Sequence, residues 1–374
     1  MGARVYAPDR DAGRVVGAEE RVGRQGMGRV AERLRSGSKA YIPGGEPRYL
    51  GQVDTSKLMR IALAQIAPKL LDGAQTLARI CERVEEAAQN GADLVVFGEA
   101  LLPGYPVWTG RTDGAQFDSP LQKELHARYL ESAVDLEAGG LDELLAVARK
   151  HGIAVSLGMI ERGTDRGGHS LFCTSAFVDR DGILQSTHRK LVPTYEERLS
   201  WAPGDGHGLV VHRMGEFRVG ALNCWENWMP LPRAALYAEG ENLHLAHWPG
   251  SERNTRPITP FLAREGRSYC ASVSALIRHQ DLPEDLQGWM KTTPGEVLCD
   301  GGSCLAGPDG AWILEPHVGV ETVLYADLDV RVVYGERQNF DPAGHYSRPD
   351  VLRLHVDRRR PNGAFPDAPN FPIV

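Results

Sequence analysis

From Met59 onward the chain repeatedly shows short apolar runs that stop abruptly at a polar or charged residue. "MRIALAQIAP", "DLVVFGEA", "IAVSLGMIER", "FRVGALNC" and "NLHLAHWP" all have this form, and each reads as a buried strand. Between them lie helical spacings. Leu77, Ile80, Cys81, Val84 and Ala88 repeat on one face, and Asn90-Gly91 supplies a stop. "LDELLAVARKHG" and "LPRAALYAEG" are further helices, and another is expected over 258–270. "SLFCTSAFVD", the turn "RDG" and "ILQSTHRK" form a hairpin. The result is a mixed α/β pattern, with strand–helix units early and hairpins later.

No repeat or linker interrupts this pattern, so residues 58–350 are expected to form one domain. Residues 1–57 are rich in Arg and Gly and poor in large apolar side chains, as in a disordered extension. Residues 351–374 hold closely spaced prolines and read as an irregular tail. The formal charge of -7 argues against a nucleic-acid partner. No apolar run approaches the ~18 residues of a membrane span, and the N-terminus lacks the apolar core of a secretory signal. Six cysteines with no CxxC pair suit a reducing compartment, so a cytoplasmic protein is expected.

Three strand ends carry chemistry. Glu99 follows the run "LVVFG" directly, and a half-buried glutamate there would have a raised pKa, as a general base needs. Alone, such a residue is more often a cap. Lys190 closes "THRK", where a lysine commonly faces solvent; buried, it would stabilise an oxyanion and favour a thiolate. Cys224 closes "FRVGALNC" just before a turn and a helix, much like a nucleophile elbow. Cys81, Cys173 and Cys270 read instead as buried hydrophobes, and Cys299 and Cys304 as residues of a Gly-rich turn. A thiol, a carboxylate and an ammonium in one cleft would suffice for acyl transfer through a thioester. His244 and His247 form an HxxH, but their odd spacing on a strand faces them oppositely, so no metal pair is expected.

The segments "FGEALLPGYP", "HRKLVPTYEER" and "NCWENWMP" resemble, in order, the Glu-Lys-Cys signature of the carbon–nitrogen hydrolase (nitrilase) superfamily. "GDG" at 204–206, "GGSCLAGPDG" and "DPAGHYSRPD" are similar to further segments of the family, and Cys-Trp-Glu-Asn resembles its nitrilase branch. The resemblance covers about 59–350 and implies an α-β-β-α sandwich that pairs into a four-layer stack. It also implies homo-oligomers, built from dimers and often extended into spirals or filaments. By motif, Cys224 would be the nucleophile, Glu99 the base, Lys190 the stabilising cation, and Glu197 the residue that holds Lys190 or assists proton transfer. The implied reaction is hydrolysis of a small organic nitrile to the acid and ammonia, with no cofactor or metal.

Tyr105, Trp108, Trp225 and Trp248 could line an aromatic substrate pocket or simply pack. Three other functions stay open on the sequence. One is an amidase or a cyanide-type hydratase or dihydratase with the same three residues. Another is a catalytically idle, filament-forming scaffold. A papain-like peptidase fits less well, because no signature places a histidine partner for Cys224.

Overall fold

A computed structural model of the protein describes residues 57–360. The expected N-terminal extension lies outside these residues except for Lys57; of the expected tail, 351–360 are described and have no helix or strand.

The first half of the chain forms β1 (Leu58–Gln65), α1 (Gly73–Gln89), β2 (Leu94–Phe97), α2 (Pro120–Ser132), α3 (Asp142–His151), β3 (Ala154–Arg162), β4 (Leu171–Val178) and β5 (Leu184–Arg189). The second half forms β6 (His212–Met214), β7 (Phe217–Asn223), α4 (Pro230–Ala238), β8 (Leu243–Trp248), α5 (Glu252–Gly266), β9 (Tyr269–Ser274) and β10 (Leu276–Arg278). It continues with α6 (Glu284–Met290), β11 (Val297–Ala306), β12 (Trp312–Val318), β13 (Thr322–Asp329) and α7 (Val330–Glu336).

Two sheets result. One has the order β13-β1-β2-β3-β4-β5; the other has β10-β11-β9-β8-β7-β6, with β12 paired to β11. Each is built around three parallel strands, β1-β2-β3 and β7-β8-β9, flanked by antiparallel neighbours. Period-two alternation sorts the side chains. Ile61 and Leu63 of β1 point between the sheets with Leu94, Val96, Val219, Leu243, Leu245 and Val273. Ala62 and Ala64 point outward, where Val95 and Phe97 also pack against Ile80, Val84, Leu144 and Ala148 of α1 and α3. The other sheet is covered by α5 through Ile258 and Leu262, and by α4 through Leu236. The architecture is the expected α-β-β-α sandwich. Burial on both faces is why the central strands read as unbroken apolar runs.

α1 begins where the Asp72 side chain accepts the Gln75 N–H at 2.9 Å, and it ends at Asn90 with Gly91 at φ 76°. Two expectations need correction. The helix expected over 258–270 is α5, which runs Glu252–Gly266 and accommodates Pro257 and Pro260 inside it. It stops at Arg267, left-handed at φ 46°, so Tyr269 and Cys270 belong to β9 instead. Cys299 and Cys304 lie in β11, not on a turn. The glycines between them, Gly301 and Gly302, take φ near 91° and 92° and form an irregularity within the strand.

One histidine ties the sheets together below the catalytic strand ends. His247 of β8 is fully buried; its Nδ1 lies 2.6 Å from the Phe97 carbonyl, and its Nε2 lies 3.0 and 3.2 Å from the hydroxyls of Ser156 and Ser175. His244 faces the opposite way, to Glu241 and Asn227 at 2.8 Å each. The two imidazoles therefore do not share a ligand set.

Candidate active site

Glu99 sits two residues beyond β2 because Gly98 lets the chain turn tightly against the other sheet. A Cβ at Gly98 would come within 2.8 Å of Trp248 O and Ala275 N. The Glu99 N–H donates to the Trp248 carbonyl at 3.0 Å, and Ala100 follows at φ 51°. Gly158 of β3 passes beneath; a Cβ there would lie 2.1 Å from Gly98 O and 2.6 Å from Glu99 Cα. Glu99 is fully buried rather than half-buried as expected, since both sheets close over it. Its Oε1 accepts hydrogen bonds from Lys190 Nζ at 2.7 Å and from the Cys173 thiol at 3.2 Å. Its Oε2 has no partner among the described residues.

Lys190 follows β5 directly, and its backbone N–H donates to Cys173 O at 2.8 Å. It is only 1% exposed, so the solvent-facing reading of a terminal lysine does not hold here. Nζ donates to Glu99 and, also at 2.7 Å, to Glu197 Oε2, and it lies 5.5 Å from the Trp201 ring centre. Glu197 sits in a short 3-10 turn, Tyr195–Leu199, that begins with Tyr195 at φ 44°. Its Oε2 also accepts the Thr194 N–H at 2.6 Å, and its Oε1 accepts the Tyr105 hydroxyl at 2.9 Å.

Cys224 opens a second 3-10 turn, Cys224–Trp228, immediately after β7, with φ 48°. Left-handed backbone costs a non-glycine residue about 1–3 kcal/mol, and here it recurs at Cys224 and beside Glu99 and Glu197. The turn aims the Trp225 N–H at the Cys224 sulfur. Glu226, fully enclosed, accepts from the N–H groups of Asn223 at 3.0 Å and Leu191 at 2.9 Å, and contacts His188 Nε2 at 2.9 Å. One carboxylate thus fastens the residue before Cys224 to the residue after Lys190.

The electrostatics follow from burial. Glu99 is pushed up to about 7, by desolvation first, with Glu197 adding and Lys190 and Cys173 opposing. Burial also holds the Cys224 thiol well above its ordinary value, with the neighbouring Glu99 adding to it, so the resting thiol keeps its proton. Burial works against the charge of Lys190, but the neighbouring carboxylates, Glu99 first and Glu197 with it, outweigh it and keep the ammonium charged. Ligand-type atoms of Glu99, Glu197 and Cys224 lie within 4.8 Å of one another, a spacing a metal ion could span. The Lys190 ammonium takes the position between the two carboxylates, where a cation would sit.

The structure therefore gathers Glu99, Lys190, Glu197 and Cys224 in one buried cluster, with Tyr105 attached through Glu197. The other three aromatic candidates stand differently. Trp108 is buried and packs edge-on against Tyr129, ring centres 4.9 Å apart. Trp248 has no exposed surface and packs under Cys224 with Ala246, Ile258 and Leu262. The Trp225 ring is 48% exposed and sits 6.2 Å from Trp228, which in turn stacks on Phe261; what Trp225 offers the thiol is its backbone. Cys173 and Glu226 were not singled out from the sequence for these contacts. Glu226 had a readable signal, because Asn223 and Glu226 form a capping box.

Comparison with known proteins shows the family. Residues 60–338 match the carbon-nitrogen hydrolase family. A bifunctional nitrilase/nitrile hydratase of Nicotiana tabacum is 34% identical over 313 residues, covering 82% of this chain and 88% of that one. An aliphatic nitrilase of Rhodococcus rhodochrous is 33% identical, with 82% and 85% covered. Among solved structures, a carbon-nitrogen hydrolase from Helicobacter pylori superposes with a TM-score of 0.60 at 17% identity, covering 78% of this chain and 96% of that one. An amidase from Nesterenkonia gives 0.56 at 22%, covering 77% and 96%. The chain belongs to the carbon–nitrogen hydrolase family. Within that family, the curated relatives named above are nitrilases.

Proposed function

We propose that this protein is a nitrilase that converts a small organic nitrile to its carboxylic acid and ammonia, with Cys224 as nucleophile. One observation carries the reading: in a buried Glu99–Lys190–Cys224 set, a Glu99 oxygen lies within 4.8 Å of the sulfur and Oε2 is left without a partner. The names of the relatives supply the preference for nitriles.

Glu99 takes the thiol proton as the sulfur attacks the nitrile carbon. The triple bond becomes a C=N double bond, and its nitrogen receives the proton back from Glu99, giving a thioimidate. Charge developing on that nitrogen is met by Lys190 Nζ and the Trp225 N–H. A water deprotonated by Glu99 then adds to the carbon. As the added hydroxyl becomes a carbonyl, its proton and the one held by Glu99 pass to the nitrogen; the C–N bond breaks, ammonia leaves and a thioester remains. A second water adds and the C–S bond breaks, releasing the acid and restoring the thiol. If the C–S bond breaks before the C–N bond, the product is the amide. The bifunctional name of the tobacco relative supports the amide as a second product beside the acid.

We further propose a cytoplasmic homo-oligomer built from dimers. All six cysteines are free, and among the described residues no helix is long and apolar enough to cross a membrane. Trp225, Trp228 and Phe261 form an outward aromatic row suited to a second copy.

The test is turnover of aliphatic, aryl and arylacetyl nitriles and their amides, with Cys224→Ala as control and ammonia, acid and amide quantified. Cys224-dependent release of ammonia or amide from nitriles is expected. Turnover of amides alone would place the chain with the amidases, and silence on both would leave the scaffold reading.

A further inference from the structure

We propose, on the reading of Glu99 as the base, that Cys173 is a positioning residue of the reaction: its thiol holds the Glu99 carboxylate so that only Oε2 faces Cys224. Cys173 is the third residue of β4 and is 1% exposed. Thr174 pairs with Arg189 across the β4–β5 ladder, which sets Cys173 opposite Lys190, whose N–H donates to the Cys173 carbonyl at 2.8 Å. Cross-strand neighbours share a face of the sheet. The Cys173 thiol and the Lys190 ammonium therefore reach Glu99 from the same side, and both end on Oε1, at 3.2 and 2.7 Å.

Two donors on one oxygen fix the carboxylate's rotation, a torsion that is otherwise broad. The oxygen they leave free is buried and, among the described residues, unpartnered, and a Glu99 oxygen lies within 4.8 Å of the Cys224 sulfur. Lys190 alone would fix the group less firmly, because Nζ is shared with Glu197 at 2.7 Å and could meet either oxygen of Glu99. A thiol is a weak donor toward neutral acceptors, but toward a buried carboxylate the bond is charge-assisted. A packing role is the competing account, since Cys173 also lies in an apolar cluster with Leu171, Ile160 and Trp201. The two accounts separate under substitution: Cys173→Ser keeps a donor, while Cys173→Val keeps apolar bulk and loses it.

The groups facing Glu99 are Lys190 beyond β5, Glu197 from the 195–199 turn, Cys173 from β4 and Cys224 beyond β7, with Tyr105 behind Glu197. Of these, only the thiol of Cys173 changes in the variants. Its bond favours the ionised carboxylate, so deleting it moves the acidic limb of the kcat profile to higher pH.

Steady-state kinetics on a nitrile that the panel shows to be turned over, with melting curves for each variant, test the proposal. Cys173→Val and the smaller Cys173→Ala should lower kcat about tenfold, the size of one charged hydrogen bond, with KM within about twofold and the acidic limb raised. Cys173→Ser should stay within about threefold of the parent, with the limb in place. Wild-type kcat and limb in the Val and Ala variants would overturn it, as would equal loss in Ser and Val. Glu99→Gln run alongside separates the two levels. If it retains turnover, the reading of Glu99 as base fails; if it is inactive while the Val and Ala variants behave normally, only the role of Cys173 falls.

Discussion

Around Lys190 the charges do not cancel: two buried carboxylates share one ammonium, each at 2.7 Å. Burial is the larger reason that Glu99 stands at about 7, and the negative charge of Glu197 adds to it. Glu197→Gln should therefore shift the acidic limb of activity to lower pH, opposite to the Cys173→Val shift. It should also lower kcat, since Lys190 loses a charged partner; a pH–rate profile whose limb stays or rises would refute this charge balance. Glu226→Gln should cost activity by another route. The amide nitrogen of glutamine would face the N–H of either Leu191 or Asn223, loosening the tie between Lys190 and Cys224. About 3–5 kcal/mol of stability is the scale for breaking a buried charged network, and denaturant titration reads it directly. At this scale the sequence told half the story. Glu99, Lys190 and Cys224 were legible because each closes a strand just before a loop, in segments that resemble the family's signature. Cys173 was not, because every residue of β4 is buried and no alternation marks which side meets the site. Arg189 was hidden by its neighbour: it turns away from Lys190 to pair with Glu161 at 2.5 Å and Asp165 at 2.7 Å, where a run of basic residues suggests solvent.

Between elements, the base depends on how closely two strands cross. Gly158 of β3 lies under the Gly98–Glu99 turn with no room for a methyl group, and the obstructing atoms are backbone. Gly158→Ala should push Glu99 away from Lys190 and Cys173 or tilt β3. Overpacking of this kind costs about 1–3 kcal/mol, and a base displaced by a fraction of an ångström should lower kcat more than KM rises. A variant with parental kcat and melting temperature would show that the sheet absorbs the methyl without moving the turn. The elements were legible where both faces are covered, since burial leaves a continuous apolar run. Their ends were less so. α5 begins five residues before Pro257, where the expected helix had its start just after that proline, and β11 contains two glycines that read as a turn, because local signals do not report the neighbours that hold such segments in place.

For the sandwich as a whole, His247 links the stability of the fold to the position of the base. It joins β8 in one sheet to β2, β3 and β4 in the other, and its carbonyl partner, Phe97, lies two residues before Glu99. Burial, aided by His244 and His188, lowers its pKa to about 4, against about 6.5 in an unfolded chain. With the folded value depressed, the unfolded chain binds the proton more readily. Stability from this group is complete above about pH 6.5 and is lost as pH falls toward about 4, by at most about 3 kcal/mol. Melting temperature should decline across that window, and His247→Gln, though less stable at neutral pH, should show a flatter decline. An unchanged slope in the variant would assign the acid sensitivity to other groups. Activity should fail earlier and reversibly, since Glu99 takes up its proton near pH 7. Between about pH 6.5 and 5.5, then, the parent should be folded and slow, and should regain full rate on return to pH 8. Below that range the His247 tie begins to fail, and recovery should depend on how long the two sheets are held apart.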